Sequence, residues 1–337
     1  MFLLAMATFA NQAMIELGVL RAQALQVDET YFAACAARGT AIGEYPPAGC
    51  HDNKAPLIFL AHQAVQWLAT PYDIAAIKQA AFALVLSVAG LAAWLAWRLS
   101  PPKTAVFAAL SAAALVVQAL LGVDVSLMAL KTEMIGIAFV LMSLLVCLPR
   151  AGLVSAGRWA LAGVFAGLAV MSKQTFALSA FALVGWGAFT ALQAPSQQRK
   201  AAMTKCVCLV VGLCTPLIVL LTWFALDGRV DEFLASIFLY PSVYGSPPTT
   251  DSAIKRAIWR FAHILHTLSL SPLVLACFCI GSVAVFARVG ESVDGESRAH
   301  TAPGLIGIVI PTTFAMLSVT LIAPIFFDFH LVPSLVL

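Results

Sequence analysis

Charge is what this sequence has least of. Lys, Arg, Asp and Glu together make up 10% of its 337 residues, while 61% are hydrophobic and the mean hydropathy is +0.95. That balance excludes an ordinary soluble domain. Short segments of alternating hydrophobicity, the mark of a membrane β-barrel, are also missing. Long continuous apolar runs stand in their place, and a helix needs about 20 such residues to cross a bilayer. The net charge of +3 is too small to mark a nucleic-acid-binding surface. Met1-Phe2-Leu3-Leu4 lacks a basic leader and the first apolar run lacks a small-residue cleavage site, so that run reads as a retained span. His51, His263, His266 and His330 lack metal-ligand spacing. Cys206/Cys208 and Cys277/Cys279 sit two apart in apolar runs, so on a helix they point to nearly opposite sides and read as packing residues. No organic cofactor is expected; the sequence shows no clear metal requirement and leaves a divalent ion open as an alternative.

What is there is an all-α, polytopic transmembrane bundle forming a single domain over 1–337. Apolar segments at Phe2–Leu20, Ile74–Trp97, Thr104–Val123, Met134–Leu148, Ser155–Met171, Phe176–Leu192, Cys206–Ala225, Leu268–Phe286 and Gly304–Ala323 give about nine spans. Asn11, Gln12 and Glu16 give the first span a polar face that should point into the protein. Two outer loops are large, 21–75 and 227–267. In the first, Tyr31–Arg38 has helical composition, and Leu57–Leu68 is apolar but too short to span, so it reads as an interfacial or re-entrant helix. In the second, Ser252–Leu268 reads as a basic amphipathic helix, fit either for anionic headgroups or for a lid. Under strict alternation Arg98, Lys103, Arg150, Arg158, Arg199, Lys200, Lys205, Arg288 and Arg298 share one side, which should be cytoplasmic. The acid-rich loops then face the periplasm or exterior.

The polar island Gln26–Pro56 interrupts this apolar background. Four carboxylates gather there, Asp28, Glu29, Glu44 and Asp52. Asp28 and Glu29 diverge by about 100° on a helix, so one is expected to face a site and the other a supporting partner. A carboxylate at a membrane surface suits a general base; local pattern equally fits Asp28 as a helix N-cap. Lys54 can act as a point charge for phosphate or simply snorkel toward headgroups. Lys173 ends the glycine-bearing segment Gly163–Ser172 with little polar sequence around it, which points to an anion held between helices. The Gly163/Gly167 pair reads as close helix packing. Glu133 opens a span on the same side as Asp28, where an acid is also favoured by the helix dipole. Cys35 and Cys50 lie in the outer loop, where an oxidising compartment permits a disulfide. Tyr31, Tyr240, Tyr244 and His330 are candidate lid or substrate contacts.

Taken in order, these residues resemble the GT-C-type membrane glycosyltransferases, the group that contains protein O-mannosyltransferases, aminoarabinose transferases of lipid A and bacterial sugar transferases with the same opening domain. The resemblance rests on Asp28-Glu29-Thr30-Tyr31, an acidic pair followed by an aromatic, and on Asn53-Lys54-Ala55-Pro56-Leu57, where alanine replaces a usual proline. It continues through Thr132-Glu133 and Ser172-Lys173-Gln174, and covers roughly residues 20–245; Phe329-His330 is a looser match. The resemblance implies a GT-C-like fold and a sugar donor on a polyprenyl phosphate, such as undecaprenyl phosphate in a bacterium. It implies a lipid, glycan or protein acceptor, with membrane lipids as surroundings and an outer active face on the bacterial inner membrane. Asp28, with Glu29 and Glu133, would serve catalysis, and Lys54 and Lys173 would neutralise the leaving phosphate. Members usually carry more spans and often a soluble domain, so the chain reads as C-terminally short.

Two other classes fit the composition. A transporter or flippase of lipid-linked sugars would want charges deep inside spans and an internal repeat; no repeat is seen, and the charges cluster at one surface. A non-catalytic scaffold related to such enzymes would not need an acid at position 28.

Overall fold

The computed structural model describes residues 25, 27–44, 50, 56–100, 102–122, 130–148 and 155–239. Among them every regular element is helical. Two helices come from the first outer loop, α1 (Val27–Ile42) and α2 (Leu57–Leu68). Six follow: α3 (Ile74–Leu99), α4 (Ala105–Gly122), α5 (Thr132–Cys147), α6 (Ala156–Ser172), α7 (Ala177–Gln193) and α8 (Ser196–Leu226). A 3-10 turn at Gln174–Phe176 joins α6 to α7, and a short helix α9 (Val230–Leu234) runs into a π-helical turn, Ala235–Leu239. Among the described residues, three segments, α3, Gln174–Gln193 and α8, are long and apolar enough to cross a membrane. The chain is therefore a helical membrane protein. The six expected spans between 74 and 225 are all helices. The expected spans Phe2–Leu20, Leu268–Phe286 and Gly304–Ala323 lie outside the described residues.

Local chemistry sets the helix ends. Asp73 caps α3, its carboxylate accepting from the Ala76 N–H at 2.9 Å. α1 stops at Gly43, whose φ of 72° is the left-handed C′ conformation that glycine reaches without strain. The Glu44 N–H returns to the Gly39 carbonyl at 2.9 Å and closes that end. α8 ends the same way at Gly228, with the Arg229 N–H on the Phe224 carbonyl at 2.7 Å. The Arg229 guanidinium then lies 5.1 Å from the Phe224 ring centroid. Tyr72 turns the chain between α2 and α3 with φ 60°, uncommon for so bulky a residue.

Two helices differ from their sequence expectation. α1 starts at Val27 and runs past Arg38, so Asp28 sits in its first turn rather than at its N-cap. α8 begins at Ser196, ten residues before the expected span Cys206–Ala225, so the basic stretch Gln198–Lys205 that falls between the expected spans forms its opening turns. Straight-chain Gln, Arg, Lys and Met residues carry the helix there by propensity rather than by burial. On the same helix Cys206 and Cys208 are half-buried free thiols rather than core residues.

The bundle is held along two seams. α5 packs on α3 and α6 through a core of Val85, Val88, Met134, Leu141, Leu144 and Ala166. α6 meets α8 so closely that glycine is required. A Cβ on Gly163 would lie 2.1 Å from the Leu209 carbonyl oxygen, one on Gly167 2.4 Å from the Leu213 oxygen, and one on Gly212 2.0 Å from the Ala160 oxygen. This is the small-residue contact that the Gly163/Gly167 spacing anticipates. Antiparallel progression through α3–α8 puts Arg98, Arg158, Arg199 and Lys200 at one end of the bundle. The acidic first turn of α1, the start of α5 and the end of α6 lie at the other.

Candidate active site

At this second end, both helices of the first loop fold onto the body of the bundle. Phe32, Phe59, Ile58, Ile77, Leu130 and Ile135 form a small core beneath them, with Phe32 and Phe59 edge to face at 5.5 Å between centroids. Cys35 and Cys50 are joined in a disulfide that closes the loop onto α1. Gln66 Nε2 donates to the Ala33 carbonyl and Gln63 Nε2 to the Glu44 carbonyl, each at 2.9 Å, fixing α2 against α1.

The acidic pair divides its labour. Glu29 is fully buried; its Oε2 accepts from Lys78 Nζ at 2.6 Å and its Oε1 from the Leu130 N–H at 3.0 Å. Lys78 is itself buried, one turn into α3. Glu29 is thus the carboxylate with the supporting partner, and Asp28 is the half-buried one. His62 is buried on α2, with its Nε2 3.1 Å from the Leu130 carbonyl. A carbonyl only accepts, so Nε2 carries the hydrogen. Burial lowers the His62 pKa from 6.5 to about 4, against the opposing pull of the Leu130 carbonyl and the Glu29 charge. The ring is therefore neutral at ordinary pH.

A second ion pair lies close along the chain. Lys173 Nζ donates to Glu133 Oε1, and the Thr132 hydroxyl donates to Glu133 Oε2 at 2.9 Å. Packing explains why residues 40 apart meet. Glu133 and Gly136 share a face of α5 at i and i+3. Gly136 leaves room for Phe176, whose ring would lie 2.1 Å from any Cβ there. Seating Phe176 on Gly136 brings the 173–176 turn against the start of α5. Gln174 Nε2 reaches the Ser236 carbonyl at 3.3 Å and ties the turn to the segment after α9. The anion that Lys173 meets between helices is thus a carboxylate of the chain itself.

Glu29, Glu133 and Lys173 therefore come together around one short segment, Leu130–Glu133, with Asp28 beside Glu29 on the chain. Tyr31 is exposed on α1, in edge contact with Phe32 and Phe59. Lys54, Tyr240, Tyr244 and His330 lie outside the described residues, as does the helix expected at Ser252–Leu268. Among the described residues, no group of three His, Cys, Asp or Glu side chains is placed to hold a metal ion.

Sequence reasoning passed over Lys78 and His62. A lone lysine inside the apolar run Ile74–Leu99 was the available signal, since a charge in a span demands a partner. His62 gave none, because its partner is a backbone carbonyl 68 residues away. No family model, curated protein or solved structure matches this chain.

Proposed function

We propose that this protein is a membrane glycosyltransferase that moves a sugar from a polyprenyl-phosphate donor to a lipid, glycan or protein acceptor by inverting displacement. The acceptor hydroxyl attacks the anomeric carbon and gives its proton to Asp28. The bond from that carbon to the phosphate oxygen breaks, and polyprenyl phosphate leaves. Lys173, with Lys54, meets the charge that develops on the departing phosphate. Glu133 holds Lys173 in place until then.

The observation that carries this reading is the Glu133–Lys173 pair. Two motif residues 40 apart in sequence meet at the end of the bundle that also bears Asp28. Two members of the ordered motif set, Glu133 and Lys173, are thereby in contact, which supports reading them as parts of one site. The disulfide and the acidic loops at this end, and the basic residues at the other, favour a periplasmic or extracellular active face on a bacterial plasma membrane. A transporter is less well supported: the buried Glu29–Lys78 pair lies at the end of α3, one turn from its start, rather than at mid-membrane.

The test is release of polyprenyl phosphate from labelled lipid-linked sugars by purified protein. Wild type is expected to turn over donor and Asp28→Asn to lose at least about 100-fold, the low end for general-base removal. Equal turnover by the two removes Asp28 as base. Absence of any turnover by wild type favours the scaffold reading.

A further inference from the structure

The start of α5 is held in an unusual way. Lys131 precedes the helix, and its carbonyl accepts the first helical bond, from the Ile135 N–H at 3.3 Å. Leu130 lies one residue earlier, so the helix has no use for its backbone groups. Leu130 is nevertheless buried, and a buried backbone N–H or carbonyl needs a partner. Both partners come from the first outer loop. The Leu130 N–H donates to Glu29 Oε1 at 3.0 Å, and its carbonyl accepts from His62 Nε2 at 3.1 Å. Glu29 is in turn anchored by Lys78 on α3 at 2.6 Å, and the Cys35–Cys50 disulfide fixes α1, which carries Glu29, to the loop that leads into α2. Three residues beyond Leu130 stands Glu133, bonded to Lys173.

We infer that His62 and Glu29 are positioning residues. By holding both backbone groups of Leu130 they fix where α5 begins, and so present Glu133 to Lys173. The disulfide-closed loop then does more than cover the end of the bundle: it sets the geometry of an ion pair made by other elements. The role of Lys173 at a donor phosphate rests on the function proposed above, whereas its positioning through Leu130 does not.

The test reads Lys173 directly. Full-length protein in nanodiscs is acetylated with a water-soluble amine reagent, and modification of Lys173 is followed by peptide mass spectrometry. Wild type should label slowly, and Glu133→Gln roughly fivefold faster or more. His62→Leu should reproduce most of that increase. His62→Gln should stay near wild type, because its amide can still donate to the Leu130 carbonyl. In the Glu133→Gln background, His62→Leu should add nothing, since both changes act through one contact. Wild-type labelling in a folded His62→Leu protein overturns the inference, and so does an additive increase in the double variant. If His62→Leu does not fold, Glu29→Leu with Lys78→Met removes the acceptor for the Leu130 N–H without leaving a buried unpaired charge, and is read by the same criterion. Donor turnover is followed in parallel: wild type that releases no polyprenyl phosphate overturns the transferase reading, while Lys173 labelling still decides the positioning one.

Discussion

The outer end of this bundle and its middle are held by opposite kinds of contact. At the α1–α2 end, helices are held by charge and directed hydrogen bonds: Glu29 to Lys78, Glu29 and His62 to Leu130, Glu133 to Lys173. Along the α6–α8 seam they are held by the absence of side chains, with Gly163, Gly167 and Gly212 letting one backbone touch the other. The difference follows from the environment of each contact. Within a bilayer, burying apolar surface separates helices from nothing less apolar than themselves, so close packing decides which pairs form. Near the surface, buried polar groups lose water and must find fixed partners. The first kind of contact tolerates little change in shape; the second tolerates little change in charge.

The largest effect should come from breaking the charged end. Lys78→Met leaves Glu29 buried with one partner fewer, which typically costs about 3–5 kcal/mol. It should appear as a large drop in unfolding midpoint in detergent. Glu29→Gln with Lys78→Met should recover much of that loss. A double variant as unstable as Lys78→Met alone would mean that shape, not charge, governs this end as well. Next comes the glycine seam. Gly212→Val forces its Cβ onto the Ala160 carbonyl, where neither backbone can swing aside, and should cost about 3 kcal/mol. Gly185→Ala on α7, where a Cβ meets nothing within 4 Å, is the control and should change stability little.

The smallest effect is one of pH. His62 has a folded pKa of about 4 against 6.5 when free. Between those values the unfolded chain binds more protons, so stability rises with pH. The contribution is complete above about pH 6.5 and is lost as pH falls toward 4. Moving from neutral pH to pH 5 should cost about 2 kcal/mol at this residue. Unfolding at the two pH values, compared between wild type and His62→Gln, isolates it. An identical pH slope in both would remove His62 from the account.

How much of this was legible in the sequence depends on the range of the physics involved. The helices α3 to α7 follow from unbroken apolar runs, and their limits fall within a few residues of the pattern. The glycine seam was visible as Gly163 and Gly167, four apart in an apolar helix, although their partner Gly212 was not. For Cys35 and Cys50 the outer loop only permitted a disulfide, and the structure makes it. Of Asp28 and Glu29, by contrast, one was expected to meet a supporting partner, but neither which of the two nor what partner could be read. The burial of Glu29 is set by Lys78 and Leu130, 49 and 101 residues away, and no local pattern encodes such a meeting. Glu133 and Lys173 were each singled out, but for separate reasons. That they face one another follows from Phe176 seated over Gly136, a packing detail invisible until both helices are placed.

The early start of α8 has a practical use. Its 31 residues extend about 46 Å at 1.5 Å each, against a hydrocarbon layer of about 30 Å. Fusing a rigid helical reporter to the Ala194–Pro195 junction would continue this rod as a mast on the arginine- and lysine-rich side. Such a mast would give image reconstruction a fixed landmark. Probed with a membrane-impermeant antibody in sealed vesicles, it would also tell inside from outside in a single measurement.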